Sequence, residues 1–397
     1  MTEGLASPTG APTSELIHLY ETWASGGAAM QITGNIMVDA RFLERAGNVV
    51  VQNNRDAKIL KTWADAVHTH KGQLWGQISH PGRQCSRFVN AKPLAPSEVQ
   101  INLAGNFAKP RAMTQSDIAD VIKRFITTAL VLQEAGFDGV QIHAAHGYLL
   151  SQFLSGRTNL RTDKWGGSLE NRARLLLSIT DGLRAALGPK YPIAVKLNSS
   201  DFIEGGFSLE ESTKVVQWLN ETGIDLLEVS GGTYEQLEFF KKVDVAQVRQ
   251  STLTREAHFL EYAAALKAVA RMPIMVTGGF RTARGMEDAL KRGNTDMIGV
   301  ARPFCLIPDF PNLMEIGALK KLPVPDRGLV LGRGYWGPNS RSPHMRALNN
   351  LTQAGWYYYQ IERLANRKTP KFFLSPLSAL LSHVAKDFFR VFRLKIA

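Results

Sequence analysis

Two spacings of apolar residues alternate along the chain. From Ser14 to Ala24, Leu16, Leu19, Tyr20 and Trp23 fall on one face of a 3.6-residue period, which predicts a helix. The same spacing predicts helices over Arg55 to Lys71, Ser116 to Ala135, Leu169 to Leu187, Leu209 to Thr222, Arg255 to Ala270 and Ala283 to Arg292. Between them lie short apolar runs that read as strands. These are Ala28 to Asn35, Gln73 to Ser79, Phe137 to His143, Pro192 to Leu197, Asp225 to Ser230, Pro273 to Thr277 and Asp296 to Val300. Strand followed by helix, repeated, means parallel strands joined by crossover helices. Nearly unbroken apolar strands imply a sheet covered on both faces. The expected class is α/β, a TIM (β/α)8-type barrel in which seven of the eight strands are recognisable. No Gly-x-Gly-x-x-Gly opens a first strand–helix unit, so a dinucleotide-binding sheet is the weaker reading.

Composition narrows the classes. The chain has 397 residues and 44% hydrophobic content, ample for one large core. No apolar run reaches the length of a membrane span, and the polar, Gly/Pro-rich stretch from Met1 to Pro12 does not read as a signal peptide. A cytoplasmic protein is expected. Cys85 and Cys305 are the only cysteines, too few for a zinc or iron–sulfur set, so no metal site is expected. The net charge of +12 invites a nucleic-acid reading. Its distribution argues against one, because residues 366–397 carry seven Lys/Arg and one Asp and hold half of the excess.

Chemistry concentrates after the Phe137 to Ile142 run, in Gln141-Ile142-His143-Ala144-Ala145-His146-Gly147-Tyr148-Leu149-Leu150. Two imidazoles can donate hydrogen bonds to one oxygen, and a neighbouring phenol can deliver a proton. Barrel enzymes place such groups at the C-terminal ends of strands. Gln77 and Lys196 stand near two other strand ends. Val276-Thr277-Gly278-Gly279-Phe280 and Gly299-Val300-Ala301-Arg302 follow the last two strands, the usual phosphate site of this architecture.

The histidine–tyrosine segment resembles the old yellow enzyme family, FMN-dependent ene-reductases on a TIM barrel. The resemblance continues through Ser151-Gln152-Phe153-Leu154-Ser155 and the stretch from Arg161-Thr162-Asp163-Lys164-Trp165-Gly166-Gly167 to Arg174. It implies FMN as cofactor, NADH or NADPH as hydride donor, and a small α,β-unsaturated carbonyl compound as substrate. His143 and His146 would bind the carbonyl oxygen and Tyr148 would protonate the α-carbon. Gln77 would meet the pyrimidine edge of the flavin. Lys196, where the family commonly has arginine, would lie beside the N1–C2 carbonyl region. Thr2 falls where the family hydrogen-bonds the C4 carbonyl, and Gly34 would let the ring system approach. Gly278, Gly279, Ala301 and Arg302 would cradle the phosphate. Met1-Thr2-Glu3-Gly4-Leu5 looks like the end of the family's first strand, so a barrel with two unpaired strand edges is expected. Glu228 reads as structural.

Two alternatives remain at this level. One is a flavin-free, phosphate-binding barrel enzyme with Lys196 as a Schiff-base lysine. The other is a non-catalytic or flavin-poor remnant of the fold. The expected organisation is a barrel domain over 1–330, a linker and helix over 331–365, and a basic amphipathic tail over 366–397. Ser375-Pro376 should start the tail's helix. That helix is expected to pack on the barrel or a second copy in a homo-oligomer, with contact to a membrane surface as the alternative.

Overall fold

The computed structural model describes residues 2–102, 105–231, 260 and 262–396. Seven strands form the barrel: β1 (Met30–Ile32), β2 (Gln73–Ser79), β3 (Gly139–Ala144), β4 (Ile193–Asn198), β5 (Leu226–Ser230), β6 (Ile274–Thr277) and β7 (Met297–Gly299). Each pairs in parallel with the next in chain order. All seven apolar runs of the sequence are thus strands of one sheet. Among the described residues β1 pairs only with β2 and β7 only with β6, and both β1 and β7 line a cavity of about 390 Å³.

Three strand starts share one device. Asp138 accepts the N–H of Leu74, Asp225 that of Ile193, and Asp296 that of Ile274. Each aspartate precedes its own strand and caps the start of the strand before it. The carboxylates are tied in turn to His68, Arg184 and Lys267. The device fixes register at three separate points of the sheet.

Side chains alternate across the sheet. Outward-facing Leu74, Ile78, Val140, Ile142, Val195, Leu197, Leu227, Val229, Ile274 and Val276 join the main core beneath the helices. Inward-facing Trp75, Ala194, Leu226 and Met275, with Met30 and Ile32, form a separate apolar layer inside the barrel. Above that layer the interior is polar, which the apolar appearance of the runs concealed.

The helices are Ser14–Ser25, Ala57–His68, Gln115–Glu134, Leu169–Leu187, Leu209–Leu219 and Ala283–Lys291, close to the expected spans. Thr13, Thr114, Ser168, Ser208 and Thr282 cap five of them. Of the helix expected over Arg255 to Ala270, residues 255–259 and 261 lie outside the described residues, and 262–267 are helical. Two pairings of two-residue strands were not foreseen: Ile36–Met37 with Val49–Val50, which joins the main sheet at the end of β2, and Leu94–Ala95 with Arg111–Ala112, which forms a separate small sheet.

Two C-terminal helices, Pro343–Ala365 and Pro376–Ile396, pack on each other and on the barrel's first helix. Leu19, Cys305, Trp356, Tyr357 and Ile361 form a second core there. The Gly/Pro-rich stretch before them folds back on the helix, where Asn349 accepts from the Leu331 N–H and donates to the Trp336 carbonyl.

Candidate active site

The polar layer of the barrel is a chain of hydrogen bonds across four strands. Gln77 Nε2 donates to Gln141 Oε1 at 2.6 Å, and Gln141 Nε2 donates to Glu228 Oε2 at 2.7 Å. Lys196 Nζ stands 2.9 Å from Glu228 Oε1. Register puts Gln77 beside Gln141, and Lys196 between His143 and Glu228. Burial alone would raise the Glu228 carboxyl. Lys196, Thr277 and Gln141 outweigh it, so the group is held below its usual range as a carboxylate.

One step up, β3 ends in the histidine segment. His146 has φ 59° and Gly147 φ 77°, so the chain turns sharply out of the strand. Asn198 Oδ1, at the end of β4, accepts the His146 N–H at 3.1 Å and supports the strained residue. The turn leads into the short helix Leu149–Leu154 with Tyr148 at its N-cap. Tyr148 thereby returns beside His143, with ring centroids 4.7 Å apart. His146 lies 5.2 Å from His143 by the same measure. The three candidates do form one cluster, and Tyr148 and His143 are buried.

Protonation at the two histidines follows from their partners. His143 Nδ1 accepts the Ala145 N–H at 3.3 Å, which places the ring proton of the neutral imidazole on Nε2. Burial pushes its pKa well below 6.5, and His146 and Lys196 push the same way. Burial and Lys196 likewise lower His146. Both rings are therefore neutral near pH 7. His146 Nε2 is 2.6 Å from Ser230 Oγ, at the end of β5.

The glycine loops after β6 and β7 open on a cavity of about 190 Å³ lined by Gly278, Gly279, Arg281, Ala301 and Arg302. Gly278 has φ +108°, a conformation that L side chains rarely adopt, and a Cβ there would meet nothing within 4 Å. Thr277, Gly299, Val300 and Ala301 line both this cavity and the larger slot that holds Gln77, Lys196 and Glu228. A basic, glycine-walled recess thus opens into a slot edged by an amide and an ammonium. That donor set and shape fit FMN.

Two expected cofactor contacts change, and a third residue is shared with an ion pair. The Thr2 hydroxyl donates to Glu44 Oε2 at 2.8 Å; its one proton is committed there and is not offered to a flavin carbonyl. Gly34 is small because of a carboxylate. Its N–H donates to Glu3 Oε1 at 2.9 Å, and a Cβ would lie 2.3 Å from Glu3 Oε2. That space belongs to Glu3, which leaves no close approach for a ring system. Arg302 lines the recess, but one of its nitrogens is 2.9 Å from Asp326, whose carboxylate also accepts from Tyr357. Arg281, buried in the same recess, was overlooked in the sequence, as were Gln141, Asn198 and Ser230. Period-two alternation could have found Gln141 and Ser230, because each lies two residues from a residue already singled out. Residues 232–254, which follow β5, lie outside the described residues.

Known proteins resemble this chain in sequence and fold. A family model described as NADH:flavin oxidoreductase / NADH oxidase matches residues 1–320. The NADH-dependent flavin oxidoreductase nadA of Aspergillus parasiticus is 38% identical over 77% of this chain and 70% of its own length. Among solved structures, 2-naphthoyl-CoA reductase with 2-naphthoyl-CoA superposes with a TM-score of 0.72 at 27% identity over 80% of this chain. This chain spans 49% of that reductase. An old yellow enzyme homologue from Zymomonas mobilis superposes with a TM-score of 0.67 at 24% identity, over 82% of this chain and 89% of its own, which speaks to the fold.

Proposed function

The chain belongs to the NADH:flavin oxidoreductase / NADH oxidase family, FMN-dependent oxidoreductases that use NADH or NADPH, and from that premise we propose that it reduces the activated C=C bond of an α,β-unsaturated carbonyl compound. The observation that carries the proposal is the fixed tautomer of His143 beside Tyr148. A neutral imidazole with its proton on Nε2 is a hydrogen-bond donor to a carbonyl oxygen, and it draws electron density from the β-carbon. Ser230, by donating its O–H to His146 Nε2, would put that ring's proton on Nδ1 and supply a second donor. Tyr148 gives its phenolic proton to the α-carbon and is reprotonated from solvent.

The cofactor supplies the hydride that the β-carbon receives. Gly278, Gly279, Arg281 and Arg302 would hold its phosphate through backbone N–H groups and guanidinium charge. Gln77 and Lys196 would meet its pyrimidine edge. Thr2 and Gly34 have no part in this assignment. The flavin-free alternative with Lys196 as a Schiff-base residue is disfavoured, because a nucleophilic amine needs the lone pair that an ion-paired ammonium lacks.

The test is a pair of half-reactions on FMN-loaded protein without oxygen. The visible flavin band should bleach with NADH or NADPH and return on adding 2-cyclohexen-1-one, with cyclohexanone as product. A band that bleaches but does not return with any enone would leave the flavin chemistry standing and remove the proposed substrate class.

A further inference from the structure

The C-terminal helix Pro376–Ile396 turns its polar side inward and an apolar side outward. Lys386 and Arg390 pair with Glu362 of the preceding helix. Asp387 pairs with Arg45 of the body at 2.6 Å, and His383 stacks on Tyr358 with ring centroids 5.2 Å apart. Ala379 and Leu380 are the apolar residues buried beneath the helix. The opposite stripe, Leu377, Leu381, Val384, Phe388 and Phe392, follows the spacing of one helical face, and every member is at least half exposed.

The turn that precedes the helix presents a sixth apolar group. Buried Gln360 accepts the Lys371 N–H at 2.8 Å and donates to the Lys371 carbonyl at 3.0 Å, which fixes the turn. Phe373 projects from it, 99% exposed. A contiguous apolar face of this kind calls for a cover.

Charge decides between covers. Residues 366–397 carry seven Lys/Arg against one Asp. Lys368, Lys371 and Arg393 are exposed near the two ends of the stripe. A second copy docked through the same face would bring two strongly positive tails together, whereas an anionic lipid surface is complementary to both the apolar stripe and the charge. No helix of the described residues is long and apolar enough to cross a membrane, so the geometry is that of a helix lying in the interface. We propose that this face seats the protein on an anionic membrane surface.

The test is co-sedimentation of the full chain with phosphatidylcholine vesicles, with and without an equal part of phosphatidylglycerol. Binding should require the anionic lipid and weaken with salt. The variant Phe388→Ser with Phe392→Ser alters two exposed side chains, and circular dichroism should match the parent. Its binding should fall by roughly a hundredfold. Lys368→Glu with Lys371→Glu should remove the preference for anionic vesicles. Absence of binding to anionic vesicles, or binding that the serine pair leaves unchanged, would overturn the proposal. So would a dimer in sedimentation velocity that the serine pair dissociates, because the stripe would then be a self-interface.

Discussion

Lys196 Nζ and Glu228 Oε1 stand 2.9 Å apart on adjoining parallel strands, their side chains largely shielded from solvent inside the barrel. A lysine on an apolar strand invites a cofactor role; its partner shows how the barrel tolerates the charge. A buried pair of this kind is most costly when half of it is removed. Lys196→Met and Glu228→Gln should each lower stability by about 3–5 kcal/mol, and the double variant should recover much of that loss. Urea unfolding of the four proteins checks the cycle. Glu228→Gln alone should also shift the reduction potential of bound FMN upward, since the positive charge at Lys196 would act without its partner.

Tyr148→Phe separates the two halves of the proposed reaction. Loss of the phenolic proton should slow alkene reduction by about 10²- to 10⁴-fold. Flavin reduction by NADH or NADPH should stay within a few-fold of the parent, because Tyr148 takes no part in it. Anaerobic stopped-flow measurement of each half-reaction distinguishes the cases, and equal losses in both would remove Tyr148 from the proton-donor role.

Stability should fall as the solution becomes acidic. Burial lowers His143 and His146 well below 6.5 and His80 to about 4. Between those folded values and 6.5 the unfolded chain binds protons that the native chain refuses, so stability is full above about 6.5 and declines below it. His80 alone accounts for roughly 3 kcal/mol of that decline by pH 4. Urea midpoints measured from pH 7 to pH 4 should show the drop, and His80→Gln should flatten it by its own share. A midpoint that holds steady to pH 4.5 would contradict the assignment.

The aspartates at strand starts should act as register pins. Asp225→Ala leaves the Ile193 N–H without its side-chain acceptor and removes the ion pair to Arg184, which should cost about 1–3 kcal/mol. Asp225→Asn keeps an acceptor and should cost less. Chemical denaturation of both variants, with an unchanged m value, is the check.

The sequence carried much of the site because local pattern and chemistry coincide there. His143, His146 and Tyr148 are close in the chain, and a single sharp turn brings them together. The glycine loops could likewise be read from their position after the last strands. Gln141 and Ser230 were harder to see, because an inward-facing polar residue in an otherwise apolar run does not disturb the run. Thr2 and Gly34 were assigned through resemblance, and partners from elsewhere in the chain, Glu44 and Glu3, claim them instead. The tail was legible as a basic amphipathic helix, but its orientation was not. Ion pairs to Glu362 and Arg45, remote in sequence, turn its polar side inward.

By itself the sequence determined which segments are strands and helices, their parallel order and the three-residue chemical cluster, since each depends on periodicity or on neighbours a few positions away. Only the tertiary structure decided which polar groups meet inside the barrel, which ring nitrogen of His143 carries the proton and which face of the last helix is left to solvent. Those outcomes rest on hydrogen bonds and ion pairs between residues tens to hundreds of positions apart, and such contacts exist only once the sheet has curled and the helices have docked.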